Sequence, residues 1–195
     1  MYTDENYTKL RNVEYNKKQI KKIKKKFRGL SPKDINIFWD MDNTLFIFSK
    51  NSDDKKSLKM QENEGFFRDL EAMDGGPEVV EELEKMGFNV FILSACCNDT
   101  TCPKEKYESI KINYPSIKDE NIIFVMNGEN KAEKIKSLGL DINRSILVDD
   151  YYANLMAWLE LGGLAIKKTF SGKKRPIPQI KDFHEIYGIL EEVLG

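Results

Sequence analysis

The feature that most constrains this chain is an alternation. Short apolar runs recur along it, and helical patterns separate them. The runs are Ile35–Trp39, Asn89–Leu93, Asn121–Val125, Ser145–Val148 and Leu164–Ile166. Between and after them lie helical stretches at Pro77–Met86, Pro103–Asn113, Lys131–Leu138, Tyr151–Leu161 and Ile180–Leu194. Each run is too short for a helix and is rich in strand formers. The runs are continuously apolar rather than alternating, as expected of strands buried on both faces. Five strands interleaved with helices predict a parallel sheet covered on both sides.

The rhythm breaks once. The interval Leu45–Gly76 is too long for a plain strand–helix loop. It contains a charged piece, 51–59, and the pair Phe66-Phe67, which would be awkwardly exposed in a surface loop. The interval reads as a small cap inserted after the first strand, at about 46–75. Ahead of the sheet, residues 1–30 carry ten Lys/Arg against three acidic residues, a net +7, while the remainder carries −8. A basic arm on an acidic body could touch nucleic acid. However, Ile20, Ile23 and Phe27 form an i, i+3, i+7 stripe, and no aromatic platform for bases accompanies the lysines. Residues 1–30 are therefore read as a basic helical extension with a solvated lysine face, and residues 31–195 as one domain that contains the cap.

Composition narrows the chemistry. At 195 residues, 41% hydrophobic and 32% charged, the chain can bury a real core as a single domain. Its longest uncharged apolar stretches fall far below the roughly 20 residues of a membrane span, and no signal-like block opens it, so a cytoplasmic protein without membrane contact is expected. One histidine, His184, argues against His-based triads and His-rich zinc sites. Cys96, Cys97 and Cys102 form an odd, clustered set, which is no disulfide framework and suits a reducing compartment. The chemistry must run on carboxylates, lysines and hydroxyls.

In open α/β sheets ligands bind at the carboxyl ends of the strands. Asp40-Met41-Asp42-Asn43-Thr44 follows the first run, Ser94-Ala95 the second, Lys131 the third at a helix start, and Asp149-Asp150 the fourth. Any one of these could merely end a strand or cap a helix. Together they put four carboxylates, a hydroxyl and an ammonium on one rim. Carboxylates gathered so closely repel unless a hard cation neutralises them, and an oxygen-rich set suits Mg²⁺. Such a site holds a phosphate through Mg²⁺, Ser94 and Lys131. Asp40 is then the nucleophile that forms an aspartyl-phosphate, and Asp42 the general acid and base. A side-chain oxygen of Asp40, the backbone carbonyl of Asp42 and a carboxylate of the Asp149-Asp150 pair complete the protein's share of the metal shell.

These residues, in this order, resemble the haloacid-dehalogenase-like (HAD) phosphohydrolase superfamily over residues 35 to about 170. Asp40–Thr44 matches its DxDx[TV] motif, Ser94 the second motif, Lys131 the third, and Asp149-Asp150 with Asn154 the fourth. The resemblance implies an α/β, Rossmann-like fold with the strands in the superfamily's usual order. It agrees with the roles given to Asp40 and Asp42, and it favours Asp150 as direct metal ligand with Asp149 acting through water or one layer further out. Residues 64–71, 76–83, 90–94 and 102–107 resemble, more narrowly, the 5′(3′)-deoxyribonucleotidase family. That likeness implies Mg²⁺-dependent hydrolysis of nucleoside monophosphates, with Phe48, Phe66 and Phe67 at a base pocket and Lys106 near the phosphate. Thr44, the last residue of the first motif, and Ala95, beside the second, are expected to help bind the substrate. Aromatic faces suit this, since stacking a base contributes roughly 1–3 kcal/mol.

The expected function is thus a magnesium-dependent phosphomonoesterase acting on a small phosphorylated metabolite, a (deoxy)nucleoside monophosphate above others. The alternatives are a phosphatase for another small metabolite or a phosphoprotein, and a non-enzymatic nucleic-acid-associated module using the basic arm.

Overall fold

The apolar runs become the strands of one sheet, and their neighbours in space follow from which runs are buried deepest. The computed structural model describes residues 13–48, 59–97, 101–171 and 176–195. Residues 1–12 of the basic arm and most of the cap's charged piece, 51–58, lie outside the described residues. In chain order the elements are α1 (Val13–Phe27), β1 (Asn36–Trp39), α2 (Gly76–Lys85), β2 (Asn89–Cys96), α3 (Cys102–Asn113) and β3 (Ile122–Met126). They continue with α4 (Lys131–Ser137), β4 (Ser145–Asp149), α5 (Tyr152–Glu160), β5 (Leu164–Lys168), β6 (Gln179–Ile180) and α6 (Glu185–Leu194). The sheet runs β3-β2-β1-β4-β5-β6, parallel throughout.

β1 and β4 are central, and both are apolar along almost their whole length because helices cover both faces. The chain leaves β1 toward β2 on one side and later returns to β4 on the other. The carboxyl ends of β1 and β4 therefore form the switch point where such sheets open a crevice. The ladder carries past the end of β1, since the Asp40 N–H donates to the Val148 carbonyl at 2.9 Å. That bond fixes Asp40 directly beside the end of β4.

Two details correct the sequence reading. The sheet has six strands, not five. Ile180, taken there as the start of the last helix, lies in an edge strand, Gln179–Ile180, paired with Lys167-Lys168, and the helix begins at Glu185. Pro178 precedes the paired residues, its carbonyl accepting from the Lys167 N–H, and an edge is where a proline is tolerated. The second concerns Ser94 and Ala95, which lie inside β2 rather than after it. They pair with Phe124 and Val125, beyond Ile92, where the β1 pairing stops.

The insertion is closed at its base. The Ile47 N–H donates to Glu71 O and the Met73 N–H to Leu45 O, each at 2.9 Å, so the strands of chain entering and leaving the cap run side by side. At the other end of the molecule, Ile20, Ile23 and Phe27 of α1 join the main core. Lys24 pairs with Glu192 at 2.7 Å, and the Gln19 amide donates to Leu159 O at 2.6 Å. Among the described residues no helix is long and apolar enough to cross a membrane.

Candidate active site

Asp40 and Asp42 owe their placement to a tight turn. Asn43 adopts φ +55°, a left-handed conformation that Asn tolerates better than most residues. The Leu45 and Phe46 N–H groups both return to the Met41 carbonyl, at 3.0 and 2.9 Å. The turn leaves both carboxylates at the crevice. Thr44 is fully buried beneath them, donating from its hydroxyl to Asp40 Oδ2 at 3.4 Å and accepting from the Asp150 N–H at 3.1 Å. One threonine thus ties the first acidic loop to the second.

Lys131 opens α4, whose start is fixed by Asn130, its side-chain oxygen accepting from the Ala132 and Glu133 N–H groups. The buried ammonium lies between two carboxylates, bonded to Asp40 Oδ1 and to Asp149 Oδ2, the latter at 2.8 Å. Burial alone would lower its pKa, but Asp149 and Asp40 outweigh that and hold it above the ordinary lysine value. Asp149 is fully buried and also accepts from the Tyr151 N–H at 2.6 Å and the Asn154 amide at 2.9 Å. Burial pushes Asp149 up to about 6 against the pull of Lys131.

Asp150 is in the opposite situation. Its carboxylate has no hydrogen bond among the described residues, and burial, then Asp40 and Asp149, push it up to about 8. Carboxylate oxygens of Asp40, Asp149 and Asp150 lie within 4.8 Å of one another. Lys131 answers two of the three charges, and Asp42 Oδ1 is a further buried oxygen without a hydrogen-bond partner among the described residues. An all-oxygen set with one unanswered carboxylate is the chemistry of a hard divalent cation, so the residues fit Mg²⁺.

Lys106, on α3, is completely buried. Its ammonium donates to Asp42 Oδ2 at 2.5 Å, Ser94 Oγ at 2.9 Å and Ala95 O at 2.7 Å. Burial would lower this lysine, and Asp42 outweighs it and raises it. Asp42 is in turn raised above the usual carboxylate range, first by burial, with Lys106 opposing and Asp40 adding to the rise.

A cleft of about 380 Å³ collects most of these groups, lined by Asp40, Asp42, Phe48, Phe67, Ala95, Lys131 and Asp150, among others. Five candidates do not line it. Thr44, Lys106 and Asp149 are buried and bonded to residues that do, and Ser94 is buried and bonded to Lys106. Phe66 stands behind, edge-on to Phe48 and Phe67 at 5.5 and 5.0 Å between ring centroids. Sequence reasoning missed Lys167, whose ammonium donates to the Asp150 carbonyl. No motif marks it, because β5 reaches this loop only through the sheet. It also gave no role to Glu105, although two charges at 105 and 106 on the buried face of Cys102, Ser109 and Ile110 were a legible signal.

The family model described as 5′ nucleotidase, deoxy (Pyrimidine), cytosolic type C protein matches residues 11–158, a span that holds Asp40, Asp42, Lys106, Lys131, Asp149 and Asp150. The chain belongs to this family. As a member of this nucleotidase family it is a phosphoric monoester hydrolase. Similar solved structures include a HAD-family hydrolase from Deinococcus radiodurans with bound phosphate and sodium, 14% identical at TM-score 0.56, covering 84% of this chain and 97% of that one. A HAD hydrolase from Entamoeba histolytica is 16% identical at TM-score 0.57, covering 82% and 99%. D,D-heptose 1,7-bisphosphate phosphatase from B. bronchiseptica, complexed with magnesium and phosphate, is 12% identical at TM-score 0.56, covering 81% and 99%. At such identities the likeness establishes the HAD-like fold. No curated protein gives a significant match.

Proposed function

We propose that the protein is a Mg²⁺-dependent nucleotidase that hydrolyses (deoxy)nucleoside monophosphates through an aspartyl-phosphate on Asp40. The observation that carries this reading is the shared lining of one cleft: Asp40 and Asp42 at its floor, Phe48 and Phe67 along its wall. The acids serve a phosphate and the rings serve a flat base, at the two ends of one small molecule. Asp40, Asp150 and the Asp42 backbone carbonyl would hold the metal, with Asp149 one layer out. When bound, Mg²⁺ supplies charge neutralisation for the carboxylates and the phosphate oxygens.

Asp40 attacks phosphorus with a carboxylate oxygen, and Lys131, bonded to that carboxylate, orients it and offsets charge at the phosphate. Asp42, held above the ordinary carboxylate range, is suited to give its proton to the leaving alkoxide. Having lost it, Asp42 takes a proton from the water that then hydrolyses the acyl-phosphate. Lys106 orients Asp42 from below and holds the Ser94 hydroxyl and the Ala95 carbonyl in register with it. Residues 31–195 form the catalytic unit in this reading, with the cap at about 46–75 and α1 as an extension fastened to it. The setting is cytoplasmic.

The test is a panel of phosphomonoesters (dUMP, dTMP, UMP, AMP and sugar phosphates) assayed with Mg²⁺ and with chelator. The expected result is activity that requires Mg²⁺ and a kcat/KM highest for nucleoside monophosphates. A sugar phosphate leading the panel would overturn the substrate class, and full activity under chelator would overturn the metal.

A further inference from the structure

We infer that Glu105 is a positioning residue that sets the cap's aromatic wall over the catalytic floor and thereby determines specificity for the base end of the substrate. This rests on the nucleotide reading above. Glu105 lies in the first turn of α3, where an acidic side chain ordinarily faces solvent or the free N–H groups of its own helix. Here it is 5% exposed and turns outward from its helix to the cap. Oε1 accepts from the Gly65 N–H at 2.7 Å, and Oε2 accepts from the Phe67 N–H at 3.1 Å. Burying a carboxylate is costly unless it is answered in full, and these two donors from the inserted segment answer both of its oxygens.

The cap is shaped to present those donors. Gly65 has φ +82°, a left-handed turn in which an added Cβ would come within 2.5 Å of Arg68 Nη2. That turn places two N–H groups, two residues apart, against one carboxylate. Phe67 is held from both ends: Glu105 takes its N–H, and the Lys106 ammonium lies 4.7 Å from its ring centroid. Successive helix residues point about 100° apart, so Glu105 reaches the cap while Lys106 reaches Asp42, Ser94 and Ala95. Two adjacent residues of one helical turn therefore fix the wall and the floor of the same cleft. Backbone bonds close the cap at its base, Ile47 N–H to Glu71 O between its two ends and Phe46 N–H to Met41 O and Met73 N–H to Leu45 O onto the body. Glu105 fastens the segment 65–67 from a buried position, and Phe48 stacks on the Phe67 ring, 6.3 Å between centroids.

The chemistry separates the two halves. Lys106 touches the acid that moves the proton, so its loss should affect every substrate. Among the described residues the Glu105 carboxylate bonds only to the segment that carries Phe67, so its loss should affect substrates that need the wall. Glu105→Gln is isosteric but turns an amide NH₂ toward one of the two N–H groups, breaking one arm of the clamp, and Glu105→Ala removes both.

The experiment combines amide exchange by NMR with kinetics on wild type, Glu105→Gln and Glu105→Ala, using dUMP and p-nitrophenyl phosphate. Expected are faster exchange at Gly65 and Phe67 with Ser109 and Ile110 unchanged, and a KM for dUMP raised roughly tenfold, as loss of a hydrogen bond to a charged group allows. Hydrolysis of p-nitrophenyl phosphate should stay within about twofold of wild type. Unchanged protection at Gly65 and Phe67 would overturn the clamp. Lost protection with KM for dUMP unmoved, or equal losses on both substrates, would overturn the specificity role and leave a plain fastener. If wild type itself shows no preference for nucleotides, the function proposed above fails. The clamp is then judged by the two amides and by KM for whichever phosphomonoester wild type prefers, against the same p-nitrophenyl phosphate control.

Discussion

The floor and the wall of the cleft are built in different ways. The floor groups stand at the ends of central strands or the start of a helix, and buried ion pairs interlock them: Lys131 with Asp40 and Asp149, Lys106 with Asp42. The wall is built from three phenylalanines, all in the insertion, with Phe48 and Phe67 facing the cleft and Phe66 behind them, and that insertion is joined to the body at its base and through Glu105. A strand end buried on both faces cannot shift without disturbing the sheet, whereas an inserted segment can move or vary with little effect on the core. On the function proposed above, chemistry falls to the floor and selection to the wall. Substitutions on the floor should reduce turnover for all substrates, and those on the wall should change which substrate is preferred.

The largest expected effect breaks the floor alone. Asp40→Asn should lower kcat by about 10⁴-fold or more on nucleotide and p-nitrophenyl phosphate alike, because a neutral amide cannot form the acyl-phosphate. Retention of even about a tenth of wild-type kcat would exclude covalent catalysis by Asp40. Next comes Lys131→Met, which leaves Asp40 and Asp149 facing each other without their shared cation. Removing one member of a buried ion pair costs about 3–5 kcal/mol, so denaturant unfolding should show a loss of that size along with inactivity. A variant as stable as wild type would mean that the carboxylates were answered by something other than Lys131.

A third prediction concerns pH. Burial, with Asp40 and Asp149 beside it, pushes Asp150 of the folded protein up to about 8, above the ordinary 3.8 of the unfolded chain. The folded state therefore binds a proton that the unfolded state lacks between those values. This contribution to stability is complete at low pH and is lost as pH rises toward 8. A cation competes with that proton for the same carboxylate. At fixed Mg²⁺ concentration the upward shift in Tm should be larger at pH 8.5 than at pH 6. An equal or smaller shift at pH 8.5 would remove Asp150 from the metal's ligands.

The same contrast explains which residues were legible in the sequence. Asp40, Asp42, Lys131 and Asp149-Asp150 stand next to apolar runs, so the positions just past each strand revealed them, and the runs themselves implied the parallel sheet. Ile180 was misread because its i, i+3 spacing to Phe183 imitates a helix face, while its pairing with Lys168 is a contact that local pattern does not encode. The bonds of Lys106 to Asp42 and of Glu105 to Gly65 and Phe67 join segments about 40 to 60 residues apart in the chain. Only the fold brings them together. Phe66 and Phe67 are adjacent, and sequence could not say that Phe67 lines the cleft while Phe66 backs it.

The most direct test of the division between floor and wall is the ratio of kcat/KM for dUMP to that for p-nitrophenyl phosphate, measured with Mg²⁺ in wild type and Phe48→Ala. Loss of a stacking face should lower the dUMP value by roughly five- to a hundredfold, from about 1–3 kcal/mol, and leave the p-nitrophenyl phosphate value nearly unchanged. The ratio should fall by that factor. If both values fall together and the ratio stays constant, Phe48 holds the cleft in shape without selecting a base, and the nucleotide reading of the wall is wrong.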